Sequence, residues 1–335
     1  MAGAAHGGAE LFYERMSIAL HDAGQQVLPL IRAEPARMAR LRAAGLAPVT
    51  ARFGGRFDPF TRPALRRELR RSGTEVAIAW MSRAAMHLPL GEWVNIGRLG
   101  GYYDLKYFRA CRYLVGNTQG IVDYIKASGI NPEHVQYLPN FVEDFAGVEA
   151  AARAEMGVPE DAPLLLGLGR LHAVKGFDTL IHAMALLPAA HCIIAGEGPE
   201  RRALAALIAR LGLGKRVKLL GWRADTGPLL KAADVFVSSS RHEPLGNMVL
   251  EAFSAQTPVL ATRAEGPAEV IAHGQDGLLV PVDDAPALAD AARLLLGDVH
   301  QRVRLSLAGR QRFLEEFCQP VVVRAWLEFL HRVAG

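Results

Sequence analysis

The chain has 335 residues, of which 50% are hydrophobic and 21% are charged, and this composition excludes extensive disorder. The length is about twice that of a typical domain of ~150 residues, so we expect two compact units. Three widely spaced cysteines exclude a disulfide framework, and no secretory signal or apolar run of ~18 residues is present. These features predict a cytoplasmic protein.

Short β-branched runs alternate with amphipathic stretches through the first half of the chain. Five strands are predicted there, at Gln26–Ile31, Glu75–Trp80, Trp93–Ile96, Tyr113–Val115 and Val135–Leu138. Helical patterns occur between them, at Glu10–Ala23, Ala64–Arg71, Asp104–Cys111 and Gly120–Ala127. This alternation indicates a parallel sheet that is covered by helices on both faces.

A glycine-rich turn, His6-Gly7-Gly8-Ala9-Glu10, opens the first predicted helix. Gly7 and Gly8 would let a phosphate or a sugar approach the backbone closely, and the alternative is a tight turn between a strand and a helix. Such a turn normally follows a strand, yet only Met1–Ala5 precede it. We therefore expect the first strand of this domain to be truncated in the present sequence.

The net charge of +4 arises from the first half of the chain. Eleven arginines and only three acidic residues lie in the segment Arg32–Arg71. This excess suits contact with an anionic membrane or an acidic acceptor, and the alternative is a solvated helix face. No nucleic-acid-binding module accompanies the segment, so we expect no nucleic-acid partner.

The second half repeats the strand–helix alternation more regularly. Six strands are predicted there, from the runs LLLGLG, HCIIAG, VKLLG, VFVSS, PVLAT and GLLVP. Strand character is lost after Asn140, where we expect the break between two Rossmann-like domains. With the linker counted in the first domain, the predicted domains are residues 1–155 and 156–317.

Two cations follow the first strand of the second domain. The segment GRLHAVKG carries Arg170 and Lys175, just before a helix that starts at Gly176–Phe177. Ligands bind at the carboxyl ends of parallel strands, and cations beside helix N-termini attract anions. The two residues therefore predict a diphosphate site, and the alternative is a pair of ordinary surface charges.

Two carboxylates follow the strand VFVSS. Glu243 precedes a turn that Pro244 and Gly246 predict, Asn247 is the expected cap of the next helix, and Glu251 lies inside that helix. Two carboxylates at different depths can accept hydrogen bonds from the hydroxyls of a nucleotide sugar, and the backbone amide groups between them suit its diphosphate. For either glutamate alone, the alternative interpretation is an ordinary surface charge.

The segment AGEGPE places Gly196 and Gly198 at another strand end, where they are further candidates for donor binding. Two glycines do not complete a dinucleotide fingerprint, so a dehydrogenase is not favoured. No His-x-x-x-His or Asp-x-Asp sequence occurs, so no metal site is predicted.

These segments together resemble the retaining glycosyltransferases of family 4, which have the GT-B fold. The resemblance rests on GGAE, GNTQGIVDYI, YLPNFVE, GRLHAVKG, AGEGPE, EPLGNMVLE and EGPAEVIAHGQDGLLVP. It implies an α/β fold with two facing Rossmann-like domains, of which the second binds the sugar nucleotide and the first binds the acceptor. It also implies a C-terminal helix, 318–335, that crosses back to the first domain, and neither a metal nor another cofactor.

The resemblance also assigns roles to individual residues. Arg170 and Lys175 are expected to hold the donor diphosphate, Glu243 to contact the transferred sugar, and Glu251 to contact the ribose. The residues expected to line the phosphate region are Gly7, Gly8, Gly246 and Asn247. A histidine that many members carry after the strand EWVNIG is absent here, and the acceptor-side candidates are Arg98, Tyr102 and Tyr103.

The sequence therefore predicts a metal-independent, retaining, hexosyl-type glycosyltransferase at the inner face of a membrane. Its predicted partners are a nucleoside-diphosphate sugar and an acceptor that is a glycolipid, a lipopolysaccharide or a polysaccharide precursor. Two alternatives stay open: a nucleotide-sugar epimerase, and a catalytically silent subunit that binds a nucleotide sugar.

Overall fold

The computed structural model describes residues 1–3, 7–55 and 58–335. The chain forms two compact units: unit 1 comprises Met1–Phe141 and Gln319–Gly335, and unit 2 comprises Val142–Cys318. The strands of both units pair in parallel, as the alternation of strands and helices predicts. In the described part of the chain, no helix has the length and apolar character needed to cross a membrane.

Unit 1 contains a two-stranded and a four-stranded sheet within its described residues. The first sheet pairs β1 (Leu30–Arg32) with β2 (Val49–Ala51), and the second has the order β3 (Val76–Trp80), β4 (Val94–Leu99), β5 (Tyr113–Gly116) and β6 (Val135–Tyr137). The helices are α1 (Gly8–Asp22), α2 (Pro35–Ala43), α3 (Thr61–Arg71), α4 (Met81–His87), α5 (Gln119–Ala127) and the C-terminal helix (Gln319–Ala334).

One predicted helix of unit 1 is wrong. Residues 104–111 form only a 3₁₀ turn, Leu105–Phe108, in which the Lys106 N–H donates to the Asp104 carboxylate at 3.0 Å. The N–H of Cys111 bonds back to the Phe108 carbonyl at 2.8 Å, which closes a turn instead of extending a helix. The apolar spacing here reflects a buried turn, not a helix face.

The C-terminal helix is part of unit 1, as the resemblance implies. Its Trp326 is fully buried and stacks on Trp80 at the end of β3, with ring centroids 6.1 Å apart. Phe329, one turn later, packs edge-on against Trp326 and Tyr113. Burial of these large rings contributes several kcal/mol of gross stabilisation, ~1.5–3 kcal/mol for each large apolar side chain.

Unit 2 has one six-stranded parallel sheet in its described residues. The strands are β7 (Leu164–Leu168), β8 (His191–Ala195), β9 (Val217–Gly221), β10 (Val235–Ser238), β11 (Val259–Thr262) and β12 (Leu278–Val280), and all six correspond to predicted strands. The helices are α6 (Phe177–Ala185), α7 (Arg201–Arg210), α8 (Thr226–Ala232), α9 (Asn247–Ser254), α10 (Glu265–Val270), α11 (Ala285–Gly297) and α12 (Val299–Arg312), followed by a π-helical turn at Phe313–Phe317.

The segment 142–155 belongs to unit 2, whereas the predicted domain boundary at 155 places it in the first domain. Val142 and Phe145 are buried in the core of unit 2. The N–H of Phe145 donates to the Ser254 hydroxyl at 2.9 Å, and Arg310 forms a bidentate pair with Asp144. The loss of strand character after Asn140 marks the boundary more closely, because the following loop packs on α9.

Candidate functional site

The strand order of unit 2 reverses beside β7. β8 and β9 follow on one side of β7, and β10, β11 and β12 lie on the other. At such a reversal, the loops that leave the two neighbouring strands diverge and open a crevice at the carboxyl edge of the sheet. Arg170 and Lys175 lie in the loop after β7, and Glu243 lies in the loop after β10.

Lys175 ends a short 3₁₀ turn, Ala173–Lys175, between β7 and α6. The His172 side chain accepts a hydrogen bond from this turn at 3.3 Å, and the Ser239 hydroxyl donates to the Lys175 carbonyl at 3.0 Å. Gly176 follows with φ of 59°, and a Cβ there would overlap the Ser239 carbonyl oxygen. Glycine therefore allows the two loops to lie against each other.

Arg241 joins the same two loops through charged hydrogen bonds. Its guanidinium donates to the Ala173 carbonyl at 2.7 Å and to both carboxylate oxygens of Asp178, and it pairs with Asp283 at 2.7 Å. Burial opposes the ionisation of Asp178, but the hydrogen bonds from Arg241 outweigh it and hold the pKa of that carboxyl below its ordinary value. Arg241 thus positions the loop that carries Lys175.

Glu243 forms an ion pair with Lys175, and the two side chains are only 16% and 22% exposed. The Ser240 hydroxyl lies 3.5 Å from the same carboxylate oxygen. A small cavity beside the pair is also lined by Gly246 and Met248. The structure therefore brings Lys175, Glu243 and Gly246 together, as the sequence predicts.

Glu265, at the start of α10, holds the loop on its other side. It accepts hydrogen bonds from the Glu243 N–H at 3.1 Å and from the His242 ring at 2.7 Å. Burial opposes its ionisation, yet backbone hydrogen bonds and the contact with His242 lower the pKa of Glu265 from its ordinary value. An ionised Glu265 thus orients the backbone of Glu243.

The turn before α9 differs from the prediction by one residue. Gly246, with φ of 87°, occupies the cap position, and Asn247 is already the first residue of the helix. The predicted cap at Asn247 is therefore wrong, because the left-handed backbone at the cap suits glycine. A Cβ at Gly246 would lie 3.4 Å from the Glu243 Cγ, so the turn packs directly against that side chain.

Glu251 lies in α9, about one turn after its start, and is 4% exposed. Its Oε2 accepts a hydrogen bond from the Thr226 hydroxyl, at the start of α8, at 3.0 Å. Glu251 therefore contacts the element that follows β9, and the predicted contact with a ribose stays a prediction.

Arg170 is exposed, and its guanidinium forms no ion pair or hydrogen bond with the described residues. A Cβ at Gly196 would overlap the Gly169 carbonyl, and one at Gly198 would overlap the Leu171 carbonyl. The two glycines thus let the loop after β8 pack on the loop that carries Arg170. Their predicted contact with the donor stays a prediction.

Gly7 and Gly8 are exposed residues of unit 1, and α1 begins at Gly8. A Cβ at Gly7 would overlap the carboxylate of Glu10, which packs against this turn. His6, in the same predicted turn, lies outside the described residues. The donor-binding role of the two glycines stays a prediction.

Arg98, an acceptor-side candidate, is buried at the end of β4. Its guanidinium lies over the rings of Phe12 and Trp80, 5.1 and 5.2 Å from their centroids, and donates to the Asn140 side chain. Burial lowers the pKa of Arg98 to about 10. Arg98 therefore belongs to the core of unit 1, and an acceptor contact stays a prediction for a side chain that is 1% exposed.

The two tyrosines proposed for the acceptor side have different surroundings. Tyr102 is 44% exposed and meets Tyr124 edge-on at 5.6 Å. Tyr103 stacks on Phe108 at 6.5 Å, and burial raises the pKa of its hydroxyl. Tyr102 is thus the more accessible of the two.

Sequence reasoning missed three groups at this edge of unit 2: Arg241, Glu265 and Thr226. Glu265 and Thr226 each contact a predicted glutamate from another loop, and Arg241 contacts the loop that carries Lys175, so no local spacing reveals their roles. It also missed Trp222, which follows β9 and is 73% exposed. An isolated tryptophan directly after a predicted strand was the signal available for that residue.

No cluster of three or more His, Cys, Asp or Glu side chains suited to a metal ion occurs among residues 1–3, 7–55 and 58–335. The charged residues that the sequence predicts for the site and that lie in the two loops beside the crevice are Arg170, Lys175 and Glu243. The absence of a metal requirement stays a prediction.

Comparison with known proteins identifies the class to which this fold and site belong. The structure is similar to that of a glycosyltransferase from Rickettsia africae ESF-5, with a TM-score of 0.88 and 17% sequence identity. The match covers 99% of this chain and 97% of that one. It also matches Anabaena Alr3699/HepE, solved with UDP and glucose, with a TM-score of 0.81 and 22% identity over 97% of this chain and 96% of that one. The two units thus have the GT-B fold of glycosyltransferases.

Comparison of the amino-acid sequences finds relatives of higher identity than these solved structures. Residues 148–312 match the family described as glycosyl transferases group 1. Two lipopolysaccharide core biosynthesis glycosyltransferases of Rhizobium meliloti (strain 1021), LpsE and LpsD, are similar over 97% of this chain. LpsE is 36% identical and the match covers 96% of its length, and LpsD is 33% identical and the match covers 95% of its length. The chain belongs to the group 1 glycosyltransferase family.

Proposed function

We propose that this chain is a retaining, metal-independent glycosyltransferase of family 4 that transfers a hexosyl group from a nucleoside-diphosphate sugar to a lipopolysaccharide core acceptor. Two relatives that are matched over nearly their full length are lipopolysaccharide core biosynthesis glycosyltransferases, which supports this acceptor class. The wider class of acceptors includes other glycolipids and polysaccharide precursors. The Anabaena protein solved with UDP and glucose makes UDP-glucose the first donor to test.

The observation that carries the proposal is the pairing of Lys175 with Glu243 at the carboxyl edge of the sheet, beside the exposed Arg170. Cleavage of the anomeric bond leaves a cationic sugar and a diphosphate that gains negative charge. Arg170 and Lys175 would stabilise the developing anion, and this stabilisation lowers the barrier because it grows with the charge. Glu243, held by Lys175 and Ser240, would accept hydrogen bonds from hydroxyls of the transferred sugar.

The proposed transfer needs no protein nucleophile. The bond between the anomeric carbon and the phosphate oxygen breaks, and its electron pair stays with the diphosphate. The acceptor oxygen attacks from the same face, and its proton passes to the departing phosphate oxygen. The configuration at the anomeric carbon is therefore retained.

The experiment compares the wild type with Lys175→Ala and a matched control, Lys215→Ala, whose exposed lysine precedes β9 at the other end of the strands. With UDP-glucose and a lipopolysaccharide core acceptor, we expect Lys175→Ala to lose ~10²–10³-fold in kcat and the control to lose nothing. Product anomers are read by NMR, and activity is measured with and without EDTA. Full activity of Lys175→Ala removes Lys175 from the site.

The same assay separates the alternatives. Donor binding without transfer to any acceptor indicates the catalytically silent subunit. Conversion of the donor sugar into its epimer without an acceptor indicates the epimerase. An inverted product, or loss of activity with EDTA, contradicts the retaining or the metal-independent part of the proposal.

The proposed site of action is the cytoplasmic face of a membrane, reached through the arginine-rich segment 32–71. In helix α3, Leu65 and Leu69 are buried, whereas Arg66, Arg67 and Arg70 are exposed. A helix that presents a row of cations to solvent suits anionic headgroups. A peripheral contact of this kind would bring the enzyme to a lipid-linked acceptor.

A further inference from the structure

Trp222 lies at the carboxyl end of β9, directly after the last residue of the strand. It is 73% exposed, more than any other large apolar side chain in the described ranges, whereas Trp80, Trp93 and Trp326 are at most 7% exposed. Its indole forms no hydrogen bond, ring contact or cation contact with the residues that the structure describes. The ring is therefore accessible to a ligand.

The backbone that carries Trp222 is held on both sides. The Gly196 N–H, in the loop after β8, donates to the Gly221 carbonyl at 2.7 Å, so the peptide group that joins Gly221 to Trp222 is fixed against that loop. Gly221 has φ of 83°, a conformation that suits glycine. On the other side, the Arg223 guanidinium donates to both carboxylate oxygens of Asp225, with 2.7 Å between Nε and Oδ1. A side chain on such a backbone needs little further ordering to bind a ligand.

The loop after β9 also contacts the carboxylate that the sequence predicts for the ribose. Four residues after Trp222, the Thr226 hydroxyl donates to Oε2 of Glu251 at 3.0 Å. In the sheet, β9 is two strands away from β7, which is ~10 Å at the usual spacing of strands. Trp222 and Lys175 thus follow two strands at the same carboxyl edge, and Glu251 contacts the loop that carries Trp222.

The chemistry of the proposed donor gives this arrangement a direction. A nucleoside diphosphate consists of a diphosphate, a ribose and a base, joined in that order. With the diphosphate at Lys175 and the ribose at Glu251, the base comes next to the loop after β9. Aromatic side chains bind bases by stacking, because every base has a flat π face.

We propose that Trp222 is the residue on which the nucleobase of the donor stacks, an inference that rests on the proposed function. Stacking tolerates different bases, so Trp222 supplies affinity for a nucleotide and does not select among bases. The transferred sugar would lie at Glu243, at the other end of the donor. The contact with Trp222 is consequently the same before and during transfer, and its loss weakens donor binding without slowing the reaction of the bound donor.

The first test measures binding by calorimetry in the absence of an acceptor. The probes are UDP, GDP and ADP, and the reference is ribose 5-diphosphate, which has no base. For the nucleotide that the wild type binds most tightly, we expect Trp222→Leu to raise Kd by ~5–150-fold and Trp222→Phe to keep most of the affinity. Binding of ribose 5-diphosphate is expected to be equal in all three proteins. The matched control, Leu294→Ala, removes another exposed apolar side chain, on α11, and is expected to change neither affinity.

A second test observes the indole itself. Because the other three tryptophans are buried, acrylamide quenches the fluorescence of Trp222 in preference to theirs. We expect a saturating nucleotide to protect Trp222 from acrylamide, and ribose 5-diphosphate to leave it accessible. In Trp222→Phe, the accessible part of the tryptophan fluorescence is expected to be lost.

In the transfer assay with UDP-glucose, we expect Trp222→Leu to raise KM for the donor by the same ~5–150-fold and to leave kcat unchanged. Unchanged nucleotide affinity in Trp222→Leu, or an equal loss of affinity for ribose 5-diphosphate, overturns the inference and leaves the proposed function standing. If the wild type binds none of the four probes, the inference fails together with the proposed function.

Discussion

At the scale of single residues, Gly176 decides how the candidate site is built. Its φ of 59° lies in the left-handed region, and the loop after β10 leaves no space for a Cβ. The residue directly before it is Lys175, whose ammonium meets Glu243. Both the position of the cation and the packing of the two loops thus depend on the missing side chain.

Gly176→Ala is expected to lower the free energy of unfolding by ~2 kcal/mol or more, because left-handed backbone costs ~1–2 kcal/mol and the new methyl must displace the Ser239 carbonyl. It is also expected to reduce transferase activity. Urea unfolding and the transfer assay measure the two effects. The matched control is Gly214→Ala, where a Cβ meets open space, with an expected change within ~0.5 kcal/mol. Equal stability of the two variants would contradict this account.

Lys175, Glu243 and Gly246 could be predicted as neighbours because each follows a strand, and the carboxyl ends of parallel strands share an edge. Arg241 could not be assigned a role in the same way. Its partners, Asp178 and Asp283, lie 63 residues before and 42 residues after it in the chain. Only the folded sheet brings these carboxylates to one guanidinium.

At the scale of elements, α1 and α2 are joined by a buried ion pair. Arg37 is fully buried and donates to Glu14 at 2.9 Å, and Arg40, 48% exposed, donates to the other oxygen of Glu14 at 2.6 Å. A buried charge that loses its counter-ion costs much more than an exposed one. Glu14 therefore holds α2 on α1 chiefly through Arg37.

Glu14→Ala is expected to destabilise the protein by ~3–5 kcal/mol, because the Arg37 guanidinium stays buried without its carboxylate. Arg40→Ala removes the exposed member and is expected to cost at most ~1 kcal/mol. Thermal and urea unfolding of both variants measure the difference. A similar loss of stability in the two variants would show that the burial of Arg37 does not determine how strongly Glu14 stabilises the protein.

Sequence patterns missed β2, α4 and α2 in unit 1, and α2 shows no apolar period because its buried residues are Arg37 and Leu41. β2 has three residues and α4 has seven, which is too few for a period of two or 3.6 residues to become visible. The predicted strand Gln26–Ile31 shortens to Leu30–Arg32, where the chain pairs with β2 and with Met1. The buried strands of unit 2, including the three-residue β12, form continuous apolar runs and were all predicted.

At the scale of the whole molecule, charge is distributed unevenly between the units. The arginine excess lies in the segment 32–71, and on α3 it is presented to solvent beside two exposed apolar side chains, Phe60 and Leu90. Arg62 and Arg66 donate to the carbonyls of Met86 and Leu90, which fixes the loop next to the helix. Sequence composition predicted the excess of charge, and the structure adds the apolar groups beside it.

The proposed membrane contact predicts a specific loss. Replacing the four exposed arginines of α3 by glutamine preserves helix propensity but removes four charges, each worth ~1 kcal/mol near an anionic surface. Binding to vesicles of phosphatidylglycerol and phosphatidylethanolamine, measured by flotation, is expected to weaken by ~10²–10³-fold. The substituted residues are Arg66, Arg67, Arg70 and Arg71.

A control with the same change in net charge separates a local patch from the overall charge of the protein. Its four substitutions to glutamine are at exposed cations of unit 2: Arg202, Arg210, Lys215 and Arg304. We expect the control to bind vesicles nearly as the wild type does, and wild-type binding to weaken steeply as salt shortens the Debye length to ~3 Å at 1 M. Since the two variants carry equal net charge, an equal loss in both would mean that long-range attraction, and not α3, brings the protein to the membrane.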